Sequence, residues 1–253
     1  MPVEIIAHRG ASRSAPENTL PAFRLAWKQG ADVAELDVRL SRDGRIVVTH
    51  DVTARRTGGL NRKVCGLTLA ELRALDFGRW KGAKWSGTRI PTLDEVAQTV
   101  PAGKRLLIEI KGGPEIIPEL RKVLDESGMR RRFILQSFSL PTMQAVKREF
   151  PGVEAGWLCA LRRPAALQAA AEAGALIRRA AEAGMNGLHL RGSPFIDARM
   201  VNRVKAAHLK FRVWTVDSAP AARWLAGLGI DGIITNRPGW LRARLDPRRR
   251  GHS

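Results

Sequence analysis

Val33-Ala34-Glu35-Leu36-Asp37-Val38-Arg39-Leu40 is a run of strand character, followed at once by Ser41-Arg42-Asp43-Gly44 and by Ile46-Val47-Val48-Thr49-His50. A turn signal between two apolar runs reads as a hairpin. The connection is too short for a parallel crossover, so the two arms are antiparallel. Their register decides which side chains meet. A two-residue turn at Asp43-Gly44 pairs Asp37 with His50, and a four-residue turn pairs Glu35 with His50. In both, Glu35, Asp37 and His50 project together, because cross-strand partners share a face and so do i and i+2. A three-residue turn breaks that convergence.

Upstream, Glu4 to Ala7 is a short apolar strand ending at His8. Gly10 and Pro16-Glu17-Asn18-Thr19 punctuate a loop, and Leu20 to Gln29 reads as a helix stopped by Gly30. Downstream, residues 52 to about 90 are irregular. They hold Gly58-Gly59, Trp80 and Trp85, with helical character only from Leu67 to Leu75. Such a stretch reads as a functional loop or small insertion. Thr92 and Glu95 then form a capping box. Strands follow at Arg105–Ile110, Phe133–Gln136, Glu154–Leu158, Gly187–Leu190, Arg212–Val216 and Gly232–Thr235, with helices between them. Ala165 to Ala183 is Ala-rich and reads as one broken helix or two.

With the hairpin's second arm set aside, eight strands can be parallel. Eight parallel strands with intervening helices predict an α/β fold, a TIM-type (β/α)8 barrel with a small insertion after the strand 2 hairpin. A doubly wound open sheet fits less well, because no Gly-x-Gly-x-x-Gly follows the first strand. In a barrel the chemistry gathers at the C-terminal strand ends. His8, Glu35, Asp37, Glu109 and Lys111 are all placed there.

The chain has 253 residues, 44% hydrophobic and 26% charged, which is ordinary for one globular domain. No apolar run reaches the ~18 residues of a membrane span. Met1 to Ile6 lacks a basic leader region and cleavage site, so the expected setting is cytoplasmic. Cys65 and Cys159 form neither a disulfide framework nor zinc spacing. The net charge is +19, of which the tail from Arg242 supplies +4 through five Arg and one Asp. That balance reads either as an arginine-rich solvated surface or as an attraction for anionic partners.

Glu35, Asp37 and Glu109 are hard oxygen ligands suited to one divalent cation, Mg²⁺ or Ca²⁺. The competing reading is ion pairing to barrel arginines. His8 and His50 are the acid/base candidates, since two strand-end histidines can serve a nucleophile and a leaving group near neutral pH. Arg9 can clamp a phosphate and Lys111 can neutralise it. Trp214 can pack on an organic substrate group or simply fill core. His189 reads as a satisfied core histidine. His208, placed in a helix, and His252 in the tail read as surface, and Arg248-Arg249-Arg250 as a solvated end.

His8-Arg9-Gly10, Pro16-Glu17-Asn18-Thr19, Glu35-x-Asp37-Val38, Asp43-Gly44, His50-Asp51, Leu67-Thr-Leu-Ala-Glu-Leu72, Ile90-Pro-Thr-Leu93, Glu109-Ile-Lys111, Ser137-Phe138 and Trp214-Thr-Val216 resemble, in order, the glycerophosphodiester phosphodiesterases. The resemblance implies a phosphatidylinositol-phospholipase-C-like barrel that hydrolyses glycerophosphodiesters to sn-glycerol 3-phosphate and an alcohol with a divalent metal. It implies His8 and His50 as the catalytic pair, Glu35, Asp37 and Glu109 as metal ligands, and Arg9 and Lys111 as phosphate contacts. It also implies residues 52–90 as an insertion capping the mouth of a single domain, 1–253. Glu17 lies in a family motif without an assigned role. Asn236 stands where many relatives carry Asp, a difference expected to alter local hydrogen bonding. The partner implied is a small-molecule phosphodiester, with no nucleic acid and no stable membrane anchor. Two alternatives remain open: a lysophospholipase D or sphingomyelinase-D-like lipid phosphodiesterase, and, from charge alone, a nonspecific nucleic-acid-binding protein.

Overall fold

The computed structural model describes residues 3–161 and 166–245. Met1, Pro2, Ala165, the Arg248-Arg249-Arg250 run and His252 lie outside the described residues.

Nine strands form one sheet: β1 (Glu4–Ala7), β2 (Val33–Leu40), β3 (Ile46–Val48), β4 (Arg105–Ile110), β5 (Phe133–Ser137), β6 (Glu154–Cys159), β7 (Gly187–Arg191), β8 (Lys210–Trp214) and β9 (Gly232–Thr235). All neighbours are parallel except β2 and β3. β1 pairs with both β2 and β9, so eight strands close into a barrel and β3 hangs on β2 as the extra arm. This is the TIM-type barrel that the strand count predicts.

Alternation along the strands builds two apolar layers. Ile6, Val33, Leu107, Ile134 and Ile234 point into the barrel and pack on one another, with Trp214 against them. Their strand neighbours Ala7, Ala34, Ile108 and Leu135 point outward and join the core beneath the helices. The helices carry the usual start signals. Asp197 accepts from Met200 N at 2.8 Å, and Pro21, Pro118, Pro141 and Pro220 sit in first turns. The Ala-rich segment is one unbroken helix, Ala166–Glu182. None of the described helices is long and apolar enough to cross a membrane.

The hairpin corrects the sequence reading. Val38 faces Val48, Arg39 faces Val47 and Leu40 faces Ile46, which is neither expected register. Ser41 N donates to Arg45 O, leaving a three-residue turn. Side chains dictate it. Ser41 Oγ donates to Asp43 Oδ1 at 2.6 Å and accepts from Arg45 N at 2.9 Å, and Gly44 takes a left-handed φ of 75°. Asp43 Oδ1 also accepts from Leu69 N at 2.9 Å, tying the turn to the insertion.

Other boundaries shift as well. β8 ends at Trp214, two residues before the expected end. His208 lies just past the helix Ala198–Ala206, with φ of 56°, although it is exposed as expected.

Residues 52–90 contain more order than composition shows. A short helix, Arg55–Gly58, and the capped helix Leu69–Arg73 join three 3₁₀ turns. Ala54, Val64, Leu67, Leu72, Phe77 and Ile90 bury one another with Val47 in a small core of their own.

Candidate active site

The interior parity that places Ile6, Val33 and Leu107 inside the barrel also governs the residues one step further along each strand. His8 follows Ile6, Glu35 and Asp37 follow Val33, Glu109 follows Leu107, and Gln136 follows Ile134. Each lies two or four residues on and so points the same way. Asp37 is the direct cross-strand partner of Glu109, and Glu109 of Gln136. Glu35, Asp37 and Glu109 are buried, and each offers an oxygen within 4.8 Å of those of the other two. His8, Arg9, Glu35, His50, Glu109, Lys111, Phe138 and Trp214 line one cavity of about 200 Å³.

The turn after β1 is tight. Arg9 has φ of 54° and Gly10 φ of 79°. A Cβ at Gly10 would lie 2.7 Å from the carbonyl carbon of Ala22, so glycine lets the turn rest on the first helix. The turn aims the Arg9 amide at Glu35 Oε2, 2.9 Å away. The Arg9 guanidinium lies 3.1 Å from Asp37 Oδ2 and donates to Glu17 Oε1 at 2.8 Å. Glu17 thereby gains a place: it also takes two bonds from Arg56 of the insertion, at 2.7 and 3.0 Å.

Lys111 Nζ pairs with Asp37 Oδ1 at 3.1 Å and with Glu109 Oε1. The expected alternative, ion pairing, is therefore present. It leaves three buried carboxylates facing two cations, and neither Asp37 Oδ1 nor Glu109 Oε1 has a partner in hydrogen-bond geometry. The charge is divided unequally. Burial raises all three, but Arg9, Lys111 and Asn18 outweigh it at Asp37 and hold that group at about 2. Glu35 is pushed well above its ordinary range by burial and by Asp37, and Glu109 is pushed to about 7 for the same two reasons. Such a cluster favours a further positive charge among its oxygens.

The histidines have unlike surroundings. His8 Nδ1 lies 2.7 Å from the amide oxygen of Asn236. Burial, with help from Arg9, lowers the His8 pKa. His50 Nδ1 lies 2.8 Å from Asp51 Oδ1, and Asp51 Oδ2 accepts from Arg56 Nε at 2.7 Å. His50 does not reach the cavity by the hairpin register. β3 ends at Val48, and Arg39 then grips the His50 carbonyl with two bonds, at 2.8 and 3.0 Å. Trp214 ends β8, donates to His189 O at 3.1 Å and meets Phe138 edge-on at 5.5 Å. His189 is fully buried between Gln136 and Arg212 and belongs to the interior.

Sequence reasoning missed Asn18, Arg56, Asp217 and the contact of Asn236 with His8. Asn18 Nδ2 donates to Asp37 Oδ2 at 2.8 Å from a left-handed backbone, φ 58°. The Pro-Glu-Asn-Thr motif was the available signal for it.

Comparison with known proteins bears on the family and the fold. The model of the glycerophosphoryl diester phosphodiesterase family matches residues 8–240. A glycerophosphodiester phosphodiesterase of Caldanaerobacter subterraneus subsp. tengcongensis is 37% identical over 244 residues, covering 92% of this chain and 94% of that protein. A phosphodiesterase of Oleispira antarctica, solved in complex with the product sn-glycerol-3-phosphate, superposes with a TM-score of 0.85 at 30% identity, covering 97% of each chain. The glycerophosphodiester phosphodiesterase of Thermotoga maritima superposes with a TM-score of 0.76 at 28% identity, covering 95% of this chain and 97% of that one. The chain belongs to the glycerophosphoryl diester phosphodiesterase family.

Proposed function

We propose that this protein hydrolyses glycerophosphodiesters, such as glycerophosphocholine or glycerophosphoethanolamine, to sn-glycerol 3-phosphate and an alcohol. The observation that carries the reading is one cavity lined by Glu35, Glu109, two histidines, an arginine and a lysine, with the buried Asp37 clustered against the two glutamates. Glu35, Asp37 and Glu109 would hold one divalent cation. Their all-oxygen donor set and unbalanced charge fit Mg²⁺ or Ca²⁺. When bound, that ion polarises the phosphoryl oxygens as a Lewis acid.

The remaining roles fall to the chain itself. Arg9 and Lys111 offer cationic donors to the phosphate and offset the charge that grows on its oxygens. His8, kept neutral by burial, takes the proton of the attacking hydroxyl. His50, whose Nδ1 faces the Asp51 carboxylate, carries a proton to the departing alkoxide. Trp214 and Phe138 form an apolar wall for the organic part of the substrate. The insertion at residues 52–90 borders the mouth. Its Arg56 reaches Glu17 and Asp51, and its Lys81 donates to Ser12 O at 2.7 Å.

The test is release of sn-glycerol 3-phosphate from a panel of diesters with different alcohols. Turnover of glycerophosphocholine or glycerophosphoethanolamine supports the reading. A lipid phosphodiesterase is the second reading, favoured by the exposure of Phe138 (50%) and Trp80 (38%). Turnover of lysophospholipids alone would replace the first reading with that one.

A further inference from the structure

Asn236 and Asp217 take no part in the chemistry above, yet they form the best-connected polar group beside it. β9 ends at Thr235, and His8 N donates to Thr235 O at 2.9 Å, so Asn236 emerges next to His8. Asp217, in the loop after β8, receives three donors. Its Oδ1 accepts from Asn236 N and from Thr235 Oγ1, both at 2.8 Å, and its Oδ2 accepts from Asn236 Nδ2 at 2.6 Å.

This arrangement orients the Asn236 amide. Turned over, its oxygen would stand 2.6 Å from an Asp217 oxygen with no proton between them. On the other side the Ser12 hydroxyl, which can turn to suit, donates to Asn236 Oδ1 at 2.8 Å. Asn236 therefore presents an oxygen, which only accepts, to His8 Nδ1 at 2.7 Å. A neutral imidazole facing an acceptor at Nδ1 carries its proton there and its lone pair on Nε2.

We propose that Asn236 and Asp217 are positioning residues that lock His8 as the Nδ1–H tautomer, so that Nε2 is the atom that accepts the nucleophile's proton. The proposal rests on His8 acting as the base. The contrast with His50 gives it direction. The Asn236 amide is uncharged, and its bond offsets only part of what burial and Arg9 do to disfavour the His8 imidazolium, whereas His50 faces the Asp51 carboxylate at 2.8 Å. The two partners thus divide the work, His8 accepting a proton and His50 delivering one.

The lock is read directly from the ¹⁵N signals of the histidine side chains in the metal-free protein near neutral pH, with His8→Ala identifying the His8 pair. Wild type is expected to show protonated Nδ1 and bare Nε2 at His8. Asn236→Ala is expected to shift His8 toward the Nε2–H form that free imidazole side chains prefer. Its kcat should fall ~10–100-fold with KM nearly unchanged, a part of what a general base contributes. The double variant Asn236→Asp/Asp217→Asn keeps an acceptor at His8 and a proton between the two exchanged side chains. It should retain the tautomer and most of kcat, and move the acid limb of the kcat/KM profile upward, because a carboxylate favours the imidazolium. A merely structural role for Asn236 would leave both tautomer and acid limb where they are. An Nε2–H form in wild type, or an Asn236→Ala protein with the wild-type tautomer, overturns the lock. Full activity in His8→Ala overturns the base assignment instead, and the tautomer still decides the lock.

Discussion

Asp37 and Glu109 are direct partners across the β2–β4 ladder, and both turn inward. Two carboxylates of neighbouring strands are thereby held on one interior row, with Glu35 two residues away on the same face. Lys111 bridges Asp37 and Glu109, whereas among the described residues no lysine pairs with Glu35. The strands hold the three groups together against their mutual repulsion.

That repulsion gives the first prediction. Glu35→Gln removes a buried like charge, so the metal-free protein should gain stability. A gain of ~1 kcal/mol would raise Tm by roughly 2–4 °C at this chain length. The same variant should lose metal affinity by more than the ~10–100-fold typical of an outer-shell partner. Thermal unfolding in EDTA, then with Mg²⁺ or Ca²⁺ titrated in, reads both effects. A Glu35→Gln protein less stable than wild type in EDTA and equally stabilised by metal would count against a ligand role.

The histidines give the second. His8→Ala and His50→Ala should each cut turnover at least ~100-fold. Both side chains are only partly buried, so Tm should move little. Steady-state kinetics beside a melting curve separates the two effects. Near-normal turnover in both variants would remove them from the chemistry.

Arg56 gives the third. It holds Asp51, the partner of His50, and Glu17, the partner of Arg9. Its side chain is substantially exposed, so its ion pairs add little to stability. Arg56→Ala should therefore lower kcat by about tenfold, a fraction of a general-acid contribution, while Tm stays within a few degrees. A large drop in Tm without a kinetic effect would mean that Arg56 only anchors the insertion.

The fourth concerns the opposite end of the barrel. Glu154 accepts from Arg212 Nη1 at 2.6 Å and from Lys210 Nζ at 2.7 Å, and Arg212 is fully buried. Burial alone would raise the Glu154 pKa, but Arg212 and Lys210 outweigh it and hold the group at about 2. A depressed pKa stabilises the fold above the unfolded value near 4.3, and the benefit is lost as pH falls toward about 2. The contribution is about 3 kcal/mol at neutral pH. Urea midpoints between pH 6 and 2 should show this decline. Glu154→Gln should start lower at neutral pH and decline less. An equal decline in the variant would place the acid sensitivity elsewhere.

The barrel was legible because its strands are apolar on both faces, so Glu35, Asp37 and Glu109 stand out as polar breaks in runs that otherwise bury everything. Interior parity then follows from simple alternation. The hairpin register was not legible, because Ser41 and Asp43 bond each other and the insertion's Leu69 amide, and these contacts select a turn that spacing alone leaves open. His50 reaches the cavity past the end of the ladder, where Thr49 N still bonds Asp37 O and Arg39 holds the His50 carbonyl. Asn236 meets His8 across 228 positions of sequence, through the closure of β1 on β9. Arg56 meets Glu17 across 39 positions of sequence, from a segment that packs a small core of its own. Partners of that kind are products of the tertiary structure.

The central claim is that Glu35, Asp37 and Glu109 hold a cation on which hydrolysis depends. The direct measurement is the rate at which metal-stripped protein releases sn-glycerol 3-phosphate from glycerophosphocholine as Mg²⁺ or Ca²⁺ is added back. The account predicts negligible release in EDTA, saturable recovery with one of the two ions, and recovery displaced to much higher metal in Glu35→Gln. Equal release with and without EDTA, or the same metal dependence in Glu35→Gln as in wild type, would contradict it.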